Sequence, residues 1–272
     1  MLVHERRAVV LSIEMLLHLS SVSNPDGANV VNCSRLVTPV DAAPIRSPQR
    51  VHTAIASHLH GKSVLEIGTR NGDGMACMAQ VATRAYAVEL SKHYCKKLES
   101  RSAALSTQTG HRFNVVCQDY RVAESVDADV YTWWQEPPHL HNPAVLLQLR
   151  RLQLSGKIRQ TAEAIFVFDQ GWKQDMLDFA DLQKLGWANW TERVGSVHER
   201  KLCLEKVHGT LRRACHRVTN GTYYIARVEL SRVSSRCPEQ ASDTWRRRCG
   251  TKQQLQQPQH QQLQLPPSNA SK

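Results

Sequence analysis

Three glycines and two acids carry the strongest chemical signal in the chain. Gly68, Gly72 and Gly74 follow an apolar run of Val64, Leu65 and Ile67 that also holds one acid, Glu66. A second apolar run closes on Glu89, 21 residues after Gly68. A strand that runs into a glycine-bearing turn lets backbone amides approach a ligand closely. An acid ending the next strand can accept both hydroxyls of a ribose. These residue types at this spacing point to an adenosine-containing cofactor.

The turn narrows the choice of cofactor. Arg70 stands where a Gly-x-Gly-x-x-Gly nicotinamide turn requires its second glycine. Gly68, Gly72 and Gly74 do fit the Gly-x-x-x-Gly-x-Gly spacing of short-chain dehydrogenases. Those enzymes pair a tyrosine with a lysine four residues on, and here Tyr94 is followed by Lys96 and Lys97 instead. Glu66 is also foreign to that reading. An acid two residues before the first glycine can sit beneath the turn, meet its amides and face a cationic ligand group. Glu66-Ile-Gly-Thr-x-x-Gly72, followed by an acid-ended strand, resembles motif I of class I S-adenosylmethionine-dependent methyltransferases. The Gly-Thr-x-x-Gly form is most similar to the small-molecule O-methyltransferases related to the catechol and caffeoyl-CoA enzymes. The resemblance covers about residues 49–230.

That resemblance implies S-adenosyl-L-methionine as cofactor and methyl transfer to an oxygen or nitrogen nucleophile, most simply of a small molecule. Glu66 and the turn of Gly68, Thr69, Arg70 and Gly72 would face the cofactor's amino-acid part, with Asp73 capping the next helix. Glu89 would hold the ribose and Leu90 pack on the adenine. Asp119 and Tyr120 match the strand end that contacts the adenine amine. Either Trp133 or Trp134 can flank the sulfonium, since aromatic faces attract cations, and Trp133 is the expected one. Asp169-Gln170 partly matches the Asp-Asn of metal-dependent relatives, but Thr132 to Trp134 bring no carboxylate. A hard cation wants several oxygen ligands, so no metal is expected. Asp169 would instead orient or deprotonate the acceptor, unless it simply caps the helix that follows. Glu136, His139 and His141 are further base candidates. Glu136-Pro-Pro-His139 lacks the amide and the aromatic of the corresponding amino-methyltransferase motif, so that activity does not transfer.

Positioning these groups requires parallel strands alternating with helices. The patterning predicts strands near 63–67, 85–90, 113–119, 128–134 and 164–169, with helices near 49–60, 72–83, 92–105 and 172–185 and another that starts at Pro143 and holds Leu146, Leu147, Leu149 and Leu152. Residues 188–194 and 223–230 alternate as an antiparallel pair. The fold class is α/β, a doubly wound and mostly parallel seven-stranded sheet whose last strand is antiparallel. The expected divisions are an N-terminal extension over 1–48, a cofactor-binding domain over 49–232 and a disordered basic, Gln-rich tail over 233–272. Residues 196–220 form a basic insertion in which His198 to Val207 suit a short amphipathic helix.

Charge is unevenly placed. Residues 191–272 hold 15 Lys/Arg against six Asp/Glu and account for most of the net charge of +11. Such a C-terminal third can attract polyanions, which keeps open an RNA or protein acceptor, or a non-catalytic interaction protein. The eight cysteines include no Cys-x-x-Cys. Cys77, Cys95 and Cys117 read as small core hydrophobes, favouring a reducing compartment, and Cys203, Cys215 and His216 as a weak zinc signal. No apolar run can span a bilayer. Residues 8–19 suit an amphipathic helix better than a secretory leader, and a cleaved organelle-targeting segment stays open as an alternative. A cytoplasmic location is expected.

Overall fold

The computed structural model describes residues 31–40, 49–121, 126–134, 142–200, 203–207, 210–215 and 218–250. Helices α1 (Cys33–Leu36) and α2 (Gln49–Ala56) lead into strand β1 (Ser63–Ile67). Helix α3 (Asp73–Met78), strand β2 (Arg84–Val88), helix α4 (Lys92–Thr109) and strand β3 (Asn114–Val116) follow. Next come strand β4 (Val130–Trp133), helix α5 (Asn142–Leu154), strand β5 (Glu163–Asp169) and helix α6 (Lys173–Lys184). Strands β6 (Ala188–Arg200), β7 (Cys203–Val207), β8 (Thr210–Cys215) and β9 (Val218–Glu229) precede helix α7 (Asp243–Gly250).

The main sheet has the order β3-β2-β1-β4-β5-β9-β6. Strands β1 to β5 pair in parallel, whereas β9 runs antiparallel to both its neighbours. The chain starts at the centre, winds to one edge and then to the other, so the direction of winding switches between β1 and β4. Ligands in such sheets collect at that switch, beyond the strands' carboxyl ends. This is the Rossmann-like, doubly wound architecture that the resemblance implied.

Alternation along each strand divides the core into two layers. Val64, Ala85, Val130, Ile165 and Ile225 face the first helices and pack with Val51, Ile55, Met75 and Leu98. Leu65, Trp133, Phe166, Phe168 and Val228 face the opposite layer and pack with Leu146, Leu149, Leu182 and Trp245. With helices on both faces, the central strand β5 is apolar almost throughout, as parallel sheets require.

Several expected boundaries move. Residues 233–250 fold back rather than forming part of a disordered tail. Val233, Ala241 and Trp245 are buried, and Arg248 Nη1 lies 2.9 Å from the buried Asp178 Oδ2. Burial raises the Asp178 carboxyl even against that guanidinium. The Gln-rich stretch beyond lies outside the described residues, as do residues 1–30. Residues 31–40 belong with the domain: the Val40 amide donates to Asp73 Oδ1 at 2.9 Å, and the Cys33 amide to Thr53 Oγ1 at 3.0 Å.

The helix expected over His198 to Val207 is strand instead. The β6 strand runs on to Arg200, and Cys203 to Val207 pair antiparallel with Cys215 to Thr210. A ten-residue helix with nothing to pack on is marginal, whereas pairing satisfies the backbone groups of both strands.

The reading of free thiols is overturned. Disulfides join Cys33 to Cys77, Cys95 to Cys117 and Cys237 to Cys249, with Cα separations of 5.4, 5.9 and 5.7 Å. The Cys203 and Cys215 backbones lie opposite each other in register. Linear spacing could not reveal these partners, because the fold alone brings α1 beside α3 and the start of α4 beside the end of β3. Among the described residues no helix is long and apolar enough to cross a membrane.

Candidate functional site

The turn after β1 is held open by backbone geometry. Gly68, Arg70 and Gly72 have φ of +74°, +55° and +77°, with Thr69 and Asn71 on the ordinary side of zero between them. Three of the turn's five amides are engaged within the protein: Gly68 with Val88 O, Arg70 with Glu89 Oε2 and Gly72 with Thr69 O. A left-handed residue other than glycine costs roughly 1–2 kcal/mol. At Arg70 that cost is opposed by a charge-assisted bond, its amide donating to Glu89 Oε2 at 2.9 Å. The other carboxylate oxygen accepts the Ser91 amide at 2.8 Å, and the Gly68 amide donates to Val88 O at 2.8 Å. The β1 turn and the end of β2 are therefore fastened together. The Arg70 side chain turns away, with Nε 3.3 Å from Tyr94 Oη and its guanidinium 5.8 Å from that ring's centre.

The three glycines do different things. A Cβ on Gly68 would meet nothing within 4 Å, so open space lies over that corner. A Cβ on Gly72 would lie 2.7 Å from Leu98 of α4, and one on Gly74 2.8 Å from the His52 ring and 3.1 Å from Glu66 Oε1. Gly68 leaves room for a ligand, whereas Gly72 and Gly74 make room for the protein itself.

The Glu66 carboxylate lies against the first turn of α3, with Oε1 3.1 Å from where a Cβ on Gly74 would stand. Thr69 is buried, its hydroxyl donating to Glu66 O at 3.1 Å. Asp73 is not a cap: Gly72 takes that position. The Asp73 carboxylate instead lies 2.7 Å from Arg101 Nη1 and holds the Val40 amide.

Leu90 is 62% exposed directly after Glu89, an apolar surface free for a flat ring. Asp119 is taken up locally, accepting Arg121 Nε at 2.9 Å. That bond holds its carboxyl below the usual range. The Arg121 amide also donates to Asp119 Oδ1, at 3.0 Å, so the carboxylate forms a local turn. Tyr120 turns inward, where burial pushes its hydroxyl up to about 12. It lines an apolar pocket with Ile67, Val88, Val126 and Leu149.

The expectation for Trp133 is corrected. Trp133 is 1% exposed, stacks on Phe166 at 4.3 Å and donates to Asn142 Oδ1 at 2.9 Å. It belongs to the core because its register partner Phe166 faces the same helical layer. Trp134 takes the opposite direction, half-buried and edge-on to Tyr223 at 5.2 Å and to His52 at 6.2 Å.

Asp169 ends β5, and its side chain shapes the turn into α6. Its Oδ1 accepts the Gly171 amide at 2.8 Å, its carbonyl accepts the Trp172 amide at 3.0 Å, and its own amide donates to Asp175 Oδ2 at 2.7 Å. The α6 cap position is Trp172 and receives no side-chain cap bond, so Asp169 shapes the preceding turn rather than capping the helix. Gln170 donates its amide to Thr222 O at 2.9 Å. Glu136, His139 and His141 lie outside the described residues. Among the described residues no group of three His, Cys, Asp or Glu side chains could hold a metal ion.

Sequence reasoning missed His52 and Gln49, both buried on α2 beside the turn. Burial lowers His52 to about 4; Asp73 opposes the shift and Arg101 adds to it. Its Nδ1 and both amide atoms of Gln49 have no hydrogen-bond partner among the described residues. The signal available was spacing alone, since Gln49, His52 and Ile55 fall on one helical face.

No family model matches the chain, and no curated protein matches it in sequence. Solved structures of similar shape include a tRNA (m1A58) methyltransferase from Aquifex aeolicus. It is 15% identical, with 66% of this chain and 68% of that one covered and a TM-score of 0.43. A precorrin-6y C5,15-methyltransferase from Geobacter metallireducens is 12% identical over 73% and 96%, with a TM-score of 0.46. An S-adenosylmethionine-dependent methyltransferase from Thiobacillus denitrificans, in complex with S-adenosyl-L-homocysteine, is 14% identical over 61% and 73%, with a TM-score of 0.43. The fold assignment rests on the strand order and register described above.

Proposed function

We propose that the corner between β1 and β2 binds S-adenosyl-L-methionine and that the chain transfers its methyl group to an oxygen or nitrogen nucleophile of a small molecule. The carrying observation is the bond between the Arg70 amide and Glu89. It sets an amide-lined turn and a carboxylate side by side at the carboxyl ends of neighbouring parallel strands. The residues present fit the group: Gly68 leaves space over the turn, Glu89 keeps lone pairs for ribose hydroxyls, and exposed Leu90 supports an adenine.

Bound there, the cofactor supplies an activated methyl on a sulfonium, so the protein's task is chiefly alignment. In this reading the open corner over Gly68 takes the cofactor's amino-acid part, and Trp134 replaces Trp133 as the aromatic group near the site. Asp169, at the same sheet edge, orients the acceptor. The small-molecule acceptor rests on the Gly-Thr-x-x-Gly turn.

A polyanionic acceptor such as RNA is the second reading, favoured by one placement. Strand β6 runs parallel to β5 and extends past the level of Asp169, so the β7–β8 hairpin, whose sequence holds Lys206, Arg212 and Arg213, is carried at the carboxyl edge of the sheet.

Isothermal calorimetry with S-adenosylmethionine and S-adenosylhomocysteine tests the cofactor assignment. Saturable binding of both is expected; no heat and no thermal shift at millimolar ligand would leave only a non-catalytic interaction protein. Affinity for RNA that falls steeply with salt would select the second reading.

A further inference from the structure

We propose that Asn32 and Asn189 are N-glycan acceptors and that the chain matures in an oxidising, secretory-type compartment. Two independent features carry this, and neither involves the cofactor corner.

The first is the acceptor motif. Asn32-Cys-Ser34 and Asn189-Trp-Thr191 both read Asn-x-Ser/Thr without proline at the middle position, the tripeptide recognised for N-glycosylation. Both asparagines and both hydroxyl residues are exposed. Asn142, buried at 2% exposure, lacks the motif.

Local geometry leaves room for a bulky sugar. Asn32 sits at the start of α1 and uses only its carbonyl oxygen, which accepts the Ser34 amide at 3.1 Å. Among the described residues its amide nitrogen makes no hydrogen bond. Asn189 is the extra residue of a β-bulge: Ala188 pairs with Val228 and Trp190 with Arg227, so Asn189 has no register partner. It lies on β6, the edge strand of the sheet. Its Nδ2 donates to Glu229 Oε1 at 3.2 Å, and a substituted amide retains one N–H for that bond. Bulges and exposed edges are where proteins block unwanted strand pairing, and a glycan there would do so.

The second feature is the disulfide set. All six cysteines with described side chains are joined in pairs, and the Cys203 and Cys215 backbones face each other. Reducing compartments keep such thiols reduced, whereas the secretory route oxidises them. Each bond forms as two thiols give up two protons and two electrons to a disulfide-bearing oxidant, which is itself reduced. In the glycan step, the asparagine Nδ2 attacks the anomeric carbon of a lipid-pyrophosphate-linked oligosaccharide. The sugar–oxygen bond breaks, the lipid pyrophosphate leaves with the electron pair, and one amide proton passes to a base. The other two motifs, Asn220-Gly-Thr222 and Asn269-Ala-Ser271, have asparagine side chains outside the described set.

The test is peptide mapping of the protein isolated from the cells that make it, after alkylation without reductant and treatment with an N-glycosidase in heavy-oxygen water. Expected are isotope-marked Asn→Asp conversions at positions 32 and 189 and no alkylation of Cys33, Cys77, Cys95 or Cys117. In cultured animal cells, the full chain behind an appended secretion leader should lose one glycan step in Ser34→Ala and another in Thr191→Ala. Native protein with both asparagines unmodified would overturn the acceptor assignment. Alkylated, unpaired cysteines in the native protein would overturn the compartment.

Discussion

The Arg70 amide and the Glu89 carboxylate meet at 2.9 Å, joining the turn after one parallel strand to the end of the next. A single side chain thereby holds a left-handed arginine in place, and in the proposed reading it also accepts the ribose hydroxyls. Removing it should do two things at once. Glu89→Ala is expected to weaken S-adenosylmethionine binding by roughly 1–3 kcal/mol, the range for bonds to a charged group, and to lower the melting temperature of the free protein. Calorimetry and thermal denaturation check the pair. An unchanged dissociation constant would remove Glu89 from the cofactor site.

Gly68 and Gly72 share a positive φ but differ in surroundings. Gly68→Ala should cost only the left-handed penalty, roughly 1–2 kcal/mol. Gly72→Ala adds a clash with Leu98 and should lose more stability. Denaturant titration should rank Gly72→Ala below Gly68→Ala, while Gly68→Ala alone narrows the ligand corner and weakens cofactor binding beyond its effect on stability. The reverse ranking would contradict the packing described.

The Cys33–Cys77 disulfide closes a loop with a sequence separation of 44 residues. Loop-closure entropy for that length corresponds to about 4 kcal/mol. The double variant Cys33→Ser/Cys77→Ser should unfold at lower denaturant, and reductant should then have a smaller further effect than on the natural chain. Equal sensitivity to reductant in both proteins would show that this bridge contributes little.

His52 gives the molecule an acid-labile element. Its pKa falls from 6.5 unfolded to about 4 folded, chiefly through burial. The unfolded chain takes up a proton that the folded chain refuses, so this stability is complete above pH 6.5 and lost as pH falls toward 4. Over that interval the loss is roughly 3 kcal/mol at most. His52→Gln should flatten the dependence of melting temperature on pH between 4 and 6.5. A slope unchanged from the natural protein would place the acid sensitivity elsewhere.

Much of the scaffold was legible in one dimension because strands and helices bury faces with fixed periods. Val64, Leu65 and Ile67, the run Ala164 to Phe168, and the positions of Gly68 and Glu89 located the sheet, its direction and the corner. The pairing of 188–194 with 223–230 showed in their alternation. What depends on neighbours distant in sequence was not legible. Trp133 and Trp134 are adjacent and alike, and only the register with Phe166 puts the first in the core. Residues 243–250 are too polar to look like a core helix, yet Trp245 and the Arg248–Asp178 pair secure them against α6. The cysteine partners and the burial of His52 arise from the same cause.

By itself, then, the sequence determined a doubly wound α/β sheet and a turn whose glycines and acids suit an adenosyl group. These are local consequences of side-chain period and backbone freedom. Tertiary structure alone decided which glycine leaves open space, which tryptophan joins the core and which thiols pair. Each of those depends on what the folded chain brings within a few ångströms, and no spacing along the chain encodes that distance.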